Sequence, residues 1–343
     1  MPPAASPSIL FIGGTKRGYR VLRALIEAGH RVVQVLSLRQ DAHEVERYEE
    51  PIRALAADHG IPLFETKYFG ETEVAAYLAT PSAAADIAFG VGCRVLLPAS
   101  IYARPRLGSL AVHDSLLPEY RGFAPLNWAI MNGETETGVT MFFVDETLDG
   151  GDITASRSVP IGRDATAPEV YELLCDATEQ VVLEACAMLQ SGATLPRTAQ
   201  DYAAGSFTCS RTPDDGWIDW ARPALEIHDM IRGLTYPYPG AFTSFEGKRL
   251  TIWRAQYHPA FRRYSGRVPG RVVALSRQDG WVDVLTGDSA VRLHEVERAG
   301  GQRTRAVDVL GSVRATLGMS PAQMARRVEE LEAEVARLSA GRE

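Results

Sequence analysis

The sequence predicts an α/β protein: a parallel sheet with helices on both faces, followed by a smaller β domain and a short C-terminal helix. The first half alternates short apolar runs with helical patterns, which is typical of strand–helix–strand units. Short β-like segments follow one another from Phe242 onward. A chain of 343 residues is long enough to form two hydrophobic cores.

The strands and helices of the first half follow from hydrophobic periodicity and from the placement of glycines. Ile9–Ile12 is wholly apolar, as expected for a buried strand. Gly60 follows a helical pattern, at the position where a left-handed residue closes a helix. The predicted elements are a strand at Ile9–Ile12, a helix at Gly18–Gly29, a strand at Arg31–Leu38, a helix at Val45–His59, and strands at Ile61–Phe64 and Asp86–Val91.

The second half begins after a long amphipathic helix, Glu169–Leu189, and a connection of small and polar residues at Ser191–Thr208. The predicted strands beyond it are Phe242–Phe245, Leu250–Trp253, Arg271–Leu275, Trp281–Leu285 and Ala290–His294. We therefore predict an N-terminal catalytic domain at residues 1–205, a β domain at 206–310 and an amphipathic helix at 320–340.

The tail carries an apolar repeat of the coiled-coil kind. Met324, Val328, Leu331, Val335 and Leu338 recur at alternating spacings of four and three residues among Glu and Arg. The repeat spans only about two heptads, which is short for a strong coiled coil. Two alternatives therefore stay open: the helix packs on its own chain, or it forms the contact of a homodimer.

Composition excludes several classes of protein. No apolar run approaches the ~20 residues of a membrane span, and no secretory leader is recognisable, so we expect a cytoplasmic protein without a membrane partner. The four cysteines lack metal-type spacing, so we expect no metal and reduced thiols. A net charge of −7 argues against a general affinity for nucleic acid.

The stretch from Gly108 to Ile153 combines a histidine with an aspartate. His113 ends an apolar strand just before a Leu-Leu-Pro turn, and Asp149 lies in a loop after a second strand at Val139–Val144. Imidazole is the side chain best suited to proton transfer near neutral pH. A carboxylate held against it orients the ring and stabilises its cation. The two residues therefore predict an acid/base site.

The same stretch resembles the folate-dependent formyltransferase family. The matching motifs are His113-x-Ser115-Leu116-Leu117-Pro118, Tyr120-Arg121-Gly122, Ala124-Pro125-Leu126-Asn127-Trp128 and Leu148-Asp149-x-Gly151-Asp152. The chain most resembles the formyltransferase domain of the polymyxin-resistance enzymes that act on a UDP-linked amino-arabinose. The resemblance implies a Rossmann-like catalytic domain, an OB-like C-terminal domain, and formyl transfer from 10-formyltetrahydrofolate as cosubstrate.

The resemblance also implies roles for individual residues. It makes His113 the acid/base and Asp149 its partner, and it places Ala111 where the family has a third catalytic residue. Substrate binding is predicted for Ser115, Arg121 and Asn127. Folate binding is predicted for Arg94, Val95, Leu96, Leu97, Phe123, Asp145, Glu146, Thr147 and Leu148.

Ala111 departs from the family pattern, in which an asparagine lies two residues before the histidine. In the family this asparagine helps to hold the formyl oxygen as it gains negative charge during attack by the amine. Losing one such donor typically lowers the rate ~100- to 1,000-fold. Three alternatives stay open: another donor serves (the Ser115 hydroxyl, a backbone amide or a water), the enzyme is slow, or the one-carbon chemistry has changed.

The predicted acceptor is the amine of a small molecule, such as an amino sugar nucleotide or a natural-product or amino-acid amine, with no nucleic-acid partner. The alternatives are a methionyl-tRNA formyltransferase and a folate-binding relative with altered one-carbon chemistry. The tRNA branch of the family uses a basic loop after the second strand. The corresponding residues 39–50 contain five acidic residues and two arginines, a balance that repels phosphate.

Overall fold

The computed structural model describes residues 6–40, 46–70, 72–79, 85–93, 96–257, 262–318 and 321–340. The chain divides into two compact units, Met1–Arg211 and Thr212–Glu343. This division lies a few residues beyond the boundary predicted after residue 205.

The first unit is built on a seven-stranded sheet. The strands of this unit are β1 (Ile9–Ile12), β2 (Val32–Leu38), β3 (Leu63–Thr66), β4 (Ile87–Val91), β5 (Ser109–His113), β6 (Arg121–Gly122), β7 (Glu136–Phe143), β8 (Ile153–Pro160) and β9 (Phe207–Thr208). The order in the sheet is β3-β2-β1-β4-β5-β7-β8. The first five strands of that order are parallel, whereas β5, β7 and β8 pair antiparallel. The short strands β6 and β9 form a separate parallel pair.

Helices cover this sheet, as the alternating pattern predicted. They are α1 (Lys16–Glu27), α2 (Glu49–Asp58), α3 (Thr72–Leu78), α4 (Ala99–Tyr102), α5 (Pro125–Met131) and α6 (Ala167–Gln190). Thr15 caps α1 by accepting a hydrogen bond from the Gly18 N–H at 3.3 Å. The long helix α6 packs against α1 and against β7 and β8. The predicted start of the second helix at Val45 lies outside the described residues.

Two kinds of element escaped prediction, the edge strand β8 and the short helices α3 and α4. Most side chains of β8 are exposed or half-buried, since it lies at the edge of the sheet, so its apolar signal is weak. The central strands are recognisable in the sequence as runs of apolar residues, because they are buried on both faces. Phe11, Phe89 and Leu110, for example, have no exposed surface.

The second unit is rich in β-structure. Its strands are β10 (Ala241–Phe245), β11 (Lys248–Tyr257), β12 (Val272–Leu275), β13 (Val282–Leu285), β14 (Ala290–Arg298) and β15 (Thr304–Arg305), and its helices are α7 (Ala224–Leu234), α8 (Ala306–Val309) and α9 (Pro321–Ala340). The antiparallel order is β10-β11-β14-β13-β12, with β15 beside β14. The helix α7, which was not predicted, packs on β11 and β14. Across the described residues of both units, no helix has the length and apolar character needed to cross a bilayer.

A capping box begins α6. The carboxylate of Glu169 accepts hydrogen bonds from the backbone N–H and the hydroxyl of Thr166, each at 2.7 Å. These bonds, the backbone one first, hold the pKa of Glu169 below its usual value. A carboxyl with a lowered pKa in the folded state stabilises the fold above its unfolded pKa, and this contribution is lost as the pH falls through the folded value.

We expect Glu169→Gln to lower the free energy of unfolding by about 0.5–1 kcal/mol at pH 7, because it weakens this cap. The difference in the free energy of unfolding between the variant and the unmodified protein should disappear as the pH falls below the ordinary pKa of glutamate and through the lower pKa of Glu169. Urea unfolding across that pH range measures it, with Glu329→Gln on α9 as a control that removes a carboxylate from the middle of a helix. A difference that stays constant with pH would contradict the prediction.

Candidate active site

His113 is the last residue of β5, at the carboxyl edge of the parallel strands. The strand lies between β4 and β7, and His113 is opposite Thr140 in the pair with β7. Because side chains alternate along a strand, Ala111 and His113 project from the same face of the sheet. Open α/β sheets bind their ligands at this edge. The strand therefore brings His113 to the edge where a ligand is expected.

The imidazole of His113 is held by a backbone carbonyl. Its Nε2 lies 2.8 Å from the carbonyl oxygen of Tyr120. A carbonyl can only accept a hydrogen bond, so this contact assigns the proton of the neutral ring to Nε2 and leaves the lone pair on Nδ1. The basic nitrogen of the ring is therefore Nδ1.

Asp149 faces that nitrogen. Its Oδ2 lies 3.6 Å from Nδ1 of His113, which is longer than a hydrogen bond. The Tyr120 carbonyl, rather than Asp149, thus fixes the ring orientation in this structure. At this distance the charge of the carboxylate would stabilise an imidazolium formed by protonation of Nδ1.

The backbone holds the Asp149 carboxylate in place. Oδ2 accepts a hydrogen bond from the Gly122 N–H at 2.9 Å, and the Asp149 carbonyl accepts one from the Gln200 side chain at 3.0 Å. A Cβ added to Gly151 would lie 1.8 Å from the Phe143 carbonyl oxygen, so only glycine permits this approach of the loop to β7. The Asp-Gly-Gly sequence is thus what lets the loop place Asp149 beside His113.

Left-handed residues that are not glycine cluster at the site. Tyr120, Ala124 and Asp149 have φ values of 58°, 49° and 50°, and the fourth such residue in the described chain, Glu246, belongs to a hairpin turn. Non-glycine residues in this conformation cost free energy and persist only where their surroundings impose it. Their concentration around His113 indicates a functional constraint on this segment.

Arg121, for which a substrate contact was predicted, is buried and bound by residues of its own chain. Its side chain has no exposed surface, and the Tyr202 ring lies 4.6 Å from the guanidinium carbon. The guanidinium donates to the carbonyls of Tyr202, Asp201 and Ala204 and to Oε1 of Gln200, at 2.8–3.3 Å. A cation enclosed by these acceptors presents no face to a substrate. The sequence could not reveal this, because the acceptors lie 79 to 83 positions further along the chain.

Ser115 and Asn127 are also buried, with 2% and 5% of their surface exposed. The Ser115 hydroxyl donates its proton to the Glu119 carbonyl at 2.6 Å. A hydroxyl has a single proton to donate, so Ser115 is not the donor that replaces the missing asparagine in this conformation. Asn127 lies within α5.

Those of the predicted folate-binding residues that the structure describes lie on three segments between regular elements. Arg94 and Val95 are outside the described residues. Leu97 belongs to the hydrophobic core, whereas Leu96 and Phe123 are 70% and 51% exposed. In the loop between β7 and β8, Oδ1 of Asp145 accepts from the N–H and the hydroxyl of Thr147, Glu146 is exposed and Leu148 is half-buried.

A cleft of about 640 Å³ lies next to this site in the first unit. Ser115, Tyr120, Trp128 and Phe207 are among its lining residues, but His113 and Asp149 are not. The cleft therefore contacts the same Tyr120 segment without containing the predicted acid/base residues.

Two contacts at the site were not predicted. Asp114 forms an ion pair with Arg17 of α1 in which both side chains are mostly buried. The Tyr120 carbonyl holds the imidazole of His113. No residue type could signal the second contact, since every residue has a carbonyl. For the ion pair with Arg17, the sequence offered one signal, which is the charged residue Asp114 immediately after the histidine.

Comparison with known proteins follows the division into two units. A profile described as "Formyl transferase" matches residues 8–186, and one described as "Formyl transferase, C-terminal domain" matches residues 211–314. The methionyl-tRNA formyltransferase of Symbiobacterium thermophilum is 36% identical over 93% of this chain and 97% of its own length. That of Geobacter metallireducens is 34% identical over 92% of this chain and 98% of its own.

Solved structures share the fold at lower identity. HypX from Aquifex aeolicus in complex with tetrahydrofolic acid has a TM-score of 0.61 and 22% identity over 90% of this chain, which spans about half (48%) of that longer protein. The N-formyltransferase from Helicobacter canadensis, in complex with folinic acid and dTDP-3-aminofucose, has a TM-score of 0.63 and 16% identity, covering 86% of this chain and 99% of its own.

The relatives contradict the predicted partners. Both curated relatives described above are named for methionyl-tRNA, so the prediction of a small-molecule acceptor without a nucleic-acid partner is wrong. That prediction rested on net charge and on the acidic residues 39–50, of which residues 41–45 lie outside the described chain. Summed charge does not describe how charges are arranged on a surface, and this arrangement decides nucleic-acid binding.

We expect Arg121→Gln to lower the free energy of unfolding by about 1–3 kcal/mol, because it removes a fully buried guanidinium that donates to several part-buried carbonyls. Urea unfolding measures the loss. Arg106→Gln is the control: Arg106 pairs with Asp86 but its side chain is 72% exposed, so the cost should stay within about 1 kcal/mol.

Arg121→Lys keeps the positive charge but lacks the planar set of guanidinium N–H donors. It should lower the free energy of unfolding by an intermediate amount. It also covers the case in which Arg121→Gln fails to fold. Full stability in both variants would contradict the structural role.

Proposed function

Because the chain belongs to the formyl transferase family, we propose that it transfers the formyl group of 10-formyltetrahydrofolate to the amino group of methionyl-tRNA. The observation that carries the proposal is the similarity to enzymes of that name across both units of the chain. The N-formyltransferase from Helicobacter canadensis has only 16% sequence identity, less than half that of the two methionyl-tRNA enzymes. It therefore supports the fold of this chain but not an amino sugar as its acceptor.

The roles of the site residues in this proposal follow from their geometry. The donor supplies an electrophilic formyl carbon. Nδ1 of His113 takes the proton that the attacking amine loses, while Nε2–H stays bound to the Tyr120 carbonyl. The carboxylate of Asp149 stabilises the resulting imidazolium from 3.6 Å. The amine nitrogen forms a bond to the formyl carbon, the bond between that carbon and the folate nitrogen breaks, and the proton passes to the folate nitrogen, which releases tetrahydrofolate and the formylated amine.

The loops at the carboxyl edge of the sheet fit a folate. Leu96 and Phe123 expose apolar surface there, which suits the flat ring of a pterin. The loop between β7 and β8 is held by its own hydrogen bonds, from Thr147 to Asp145 and from Gln200 to Gly151. A loop fixed in this way binds a ligand without a large cost in ordering.

A second candidate is a folate-dependent relative with changed one-carbon chemistry. Ala111 favours it, because its side chain offers no donor to a developing oxyanion and the Ser115 hydroxyl is bound to the Glu119 carbonyl. HypX, which shares the fold and binds tetrahydrofolic acid, shows that the fold accommodates a folate in a protein of another name.

Incubation of the full chain with 10-formyltetrahydrofolate and methionyl-tRNA tests the proposal. Formylmethionine on the tRNA, released in step with tetrahydrofolate, is the expected result, and free methionine serves as the matched control acceptor. The rate at low tRNA concentration should fall steeply with added salt, because binding releases counterions from the phosphates. Tetrahydrofolate released without formylated tRNA would support the second candidate and refute the first.

We expect Asp149→Asn to lower kcat at least about 100-fold, because it removes the charge that stabilises the imidazolium. The asparagine oxygen can still accept from the Gly122 N–H, so KM for the folate should change little. Steady-state kinetics measure both constants. Asp152→Asn, three residues further on, is the control and should stay within a few-fold of the unmodified enzyme. Near-normal turnover of Asp149→Asn would restrict Asp149 to a role in the turn.

We expect Ala111→Asn to raise the rate of formyl transfer about tenfold, because it returns an amide donor to the face of β5 that carries His113. Ala111→Asp is the matched control, since it has nearly the same size but no N–H group and should give no gain. Single-turnover kinetics compare the chemical step in the three proteins. An unchanged rate in Ala111→Asn would mean that a backbone amide or a water already serves as the donor.

A further inference from the structure

The C-terminal helix α9 exposes an apolar seam. Met324, Val328, Leu331, Val335 and Leu338 are each between 43% and 62% exposed. They lie on one side of the helix at alternating spacings of four and three residues. The helix also lies beyond residue 314, where the matched family region ends. The family likeness therefore gives this seam no role.

The residue types of the seam indicate what covers it. Val328 and Val335 occupy the a positions of the heptad, and Met324, Leu331 and Leu338 the d positions. A β-branched residue at a with leucine at d favours two parallel strands over higher oligomers. The choice of valine and leucine at alternate positions thus fits a dimer of identical helices.

The charged residues beside the seam complement a second copy. Arg327 occupies a g position and Glu332 the e position five residues later, so each pairs with the other residue of a parallel neighbouring helix. By symmetry the dimer has two such pairs. The next g residue, Glu334, meets Ser339, which adds no repulsion.

From the seam and its flanking charges, we infer that α9 joins two copies of this chain in a parallel, in-register coiled coil. This arrangement covers all five seam residues. An antiparallel arrangement that opposes Leu331 and Val335 would place Glu334 against its own copy. The alternative antiparallel offset, which opposes Val328 and Leu331, would leave Leu338 without an apolar neighbour.

Association should depend on protein concentration. Most of the stability of a helix in a protein comes from packing of its amphipathic face rather than from intrinsic propensity, and the seam of this 20-residue helix is exposed. Burial of the seam supplies the missing stabilisation, so helix formation and dimerisation are coupled. The dimer is thus held by one short seam and should dissociate on dilution.

Sedimentation velocity of the full chain from about 1 to 100 μM tests the inference, since a weak dimer responds to concentration in such a range. A shift from monomer to dimer is the expected result. Leu331→Glu should abolish it, whereas Ala333→Glu, on the outer face of the same helix, should leave it unchanged. A protein that stays monomeric throughout, or a dimer that survives Leu331→Glu, would overturn the inference.

Two charge reversals test the parallel register. Glu332→Arg places like charges against Arg327 of the other copy and should raise the dissociation constant on the order of tenfold, whereas Glu334→Arg should have little effect. Arg327→Glu combined with Glu332→Arg should restore the original affinity. If Glu332→Arg has no effect and Glu334→Gln strengthens the dimer by removing a repulsion between the two copies of Glu334, the helices are antiparallel and the proposed register is refuted.

Discussion

The backbone of residues 120–122 holds both predicted catalytic side chains. The Tyr120 carbonyl accepts from the imidazole of His113, and the Gly122 N–H donates to the carboxylate of Asp149. The histidine at the end of β5 and the aspartate in the loop between β7 and β8 are therefore positioned by the same short segment. Because Nε2 is committed to the carbonyl, the same contact makes Nδ1 the nitrogen that can accept a proton. The chemistry of the site depends on where this segment lies.

The segment is fixed by a buried cation and a short strand pair. Arg121 spreads its guanidinium over acceptors in residues 200–204, and β6 pairs with β9 just beyond them. Gln200 also reaches from this region to the carbonyls of Asp149 and Gly151. Arg121, Gln200 and the Asp149 loop therefore form one hydrogen-bonded network. Such a network can hold Tyr120 and Asp149 in left-handed conformations that an isolated loop would not keep.

Charge proved a poor guide to the acceptor. The net charge of −7 and the acidic residues 39–50 favoured a small molecule, yet the chain is similar to enzymes named for methionyl-tRNA across both units. Net charge sums over the whole surface, whereas binding to phosphates depends on local groups and their spacing. For the C-terminal helix α9 the family comparison gives no information, because the matched family region ends at residue 314. Here the exposed apolar residues of the helix themselves indicate a partner.

The sequence by itself determined the features whose signals are local. Short apolar runs predicted β1, β2 and β4, and helical spacing predicted α6. A set of motifs singled out His113 and Asp149, which lie 3.6 Å apart in the fold. Only the tertiary structure decided the rest. The edge strand β8 has little apolar signal because most of its side chains are exposed or half-buried, and the burial of Arg121 depends on residues 79 to 83 positions away. The carbonyl that orients His113 was unpredictable for a simpler reason: every residue carries one, and only the path of the folded chain selects which of them meets the ring.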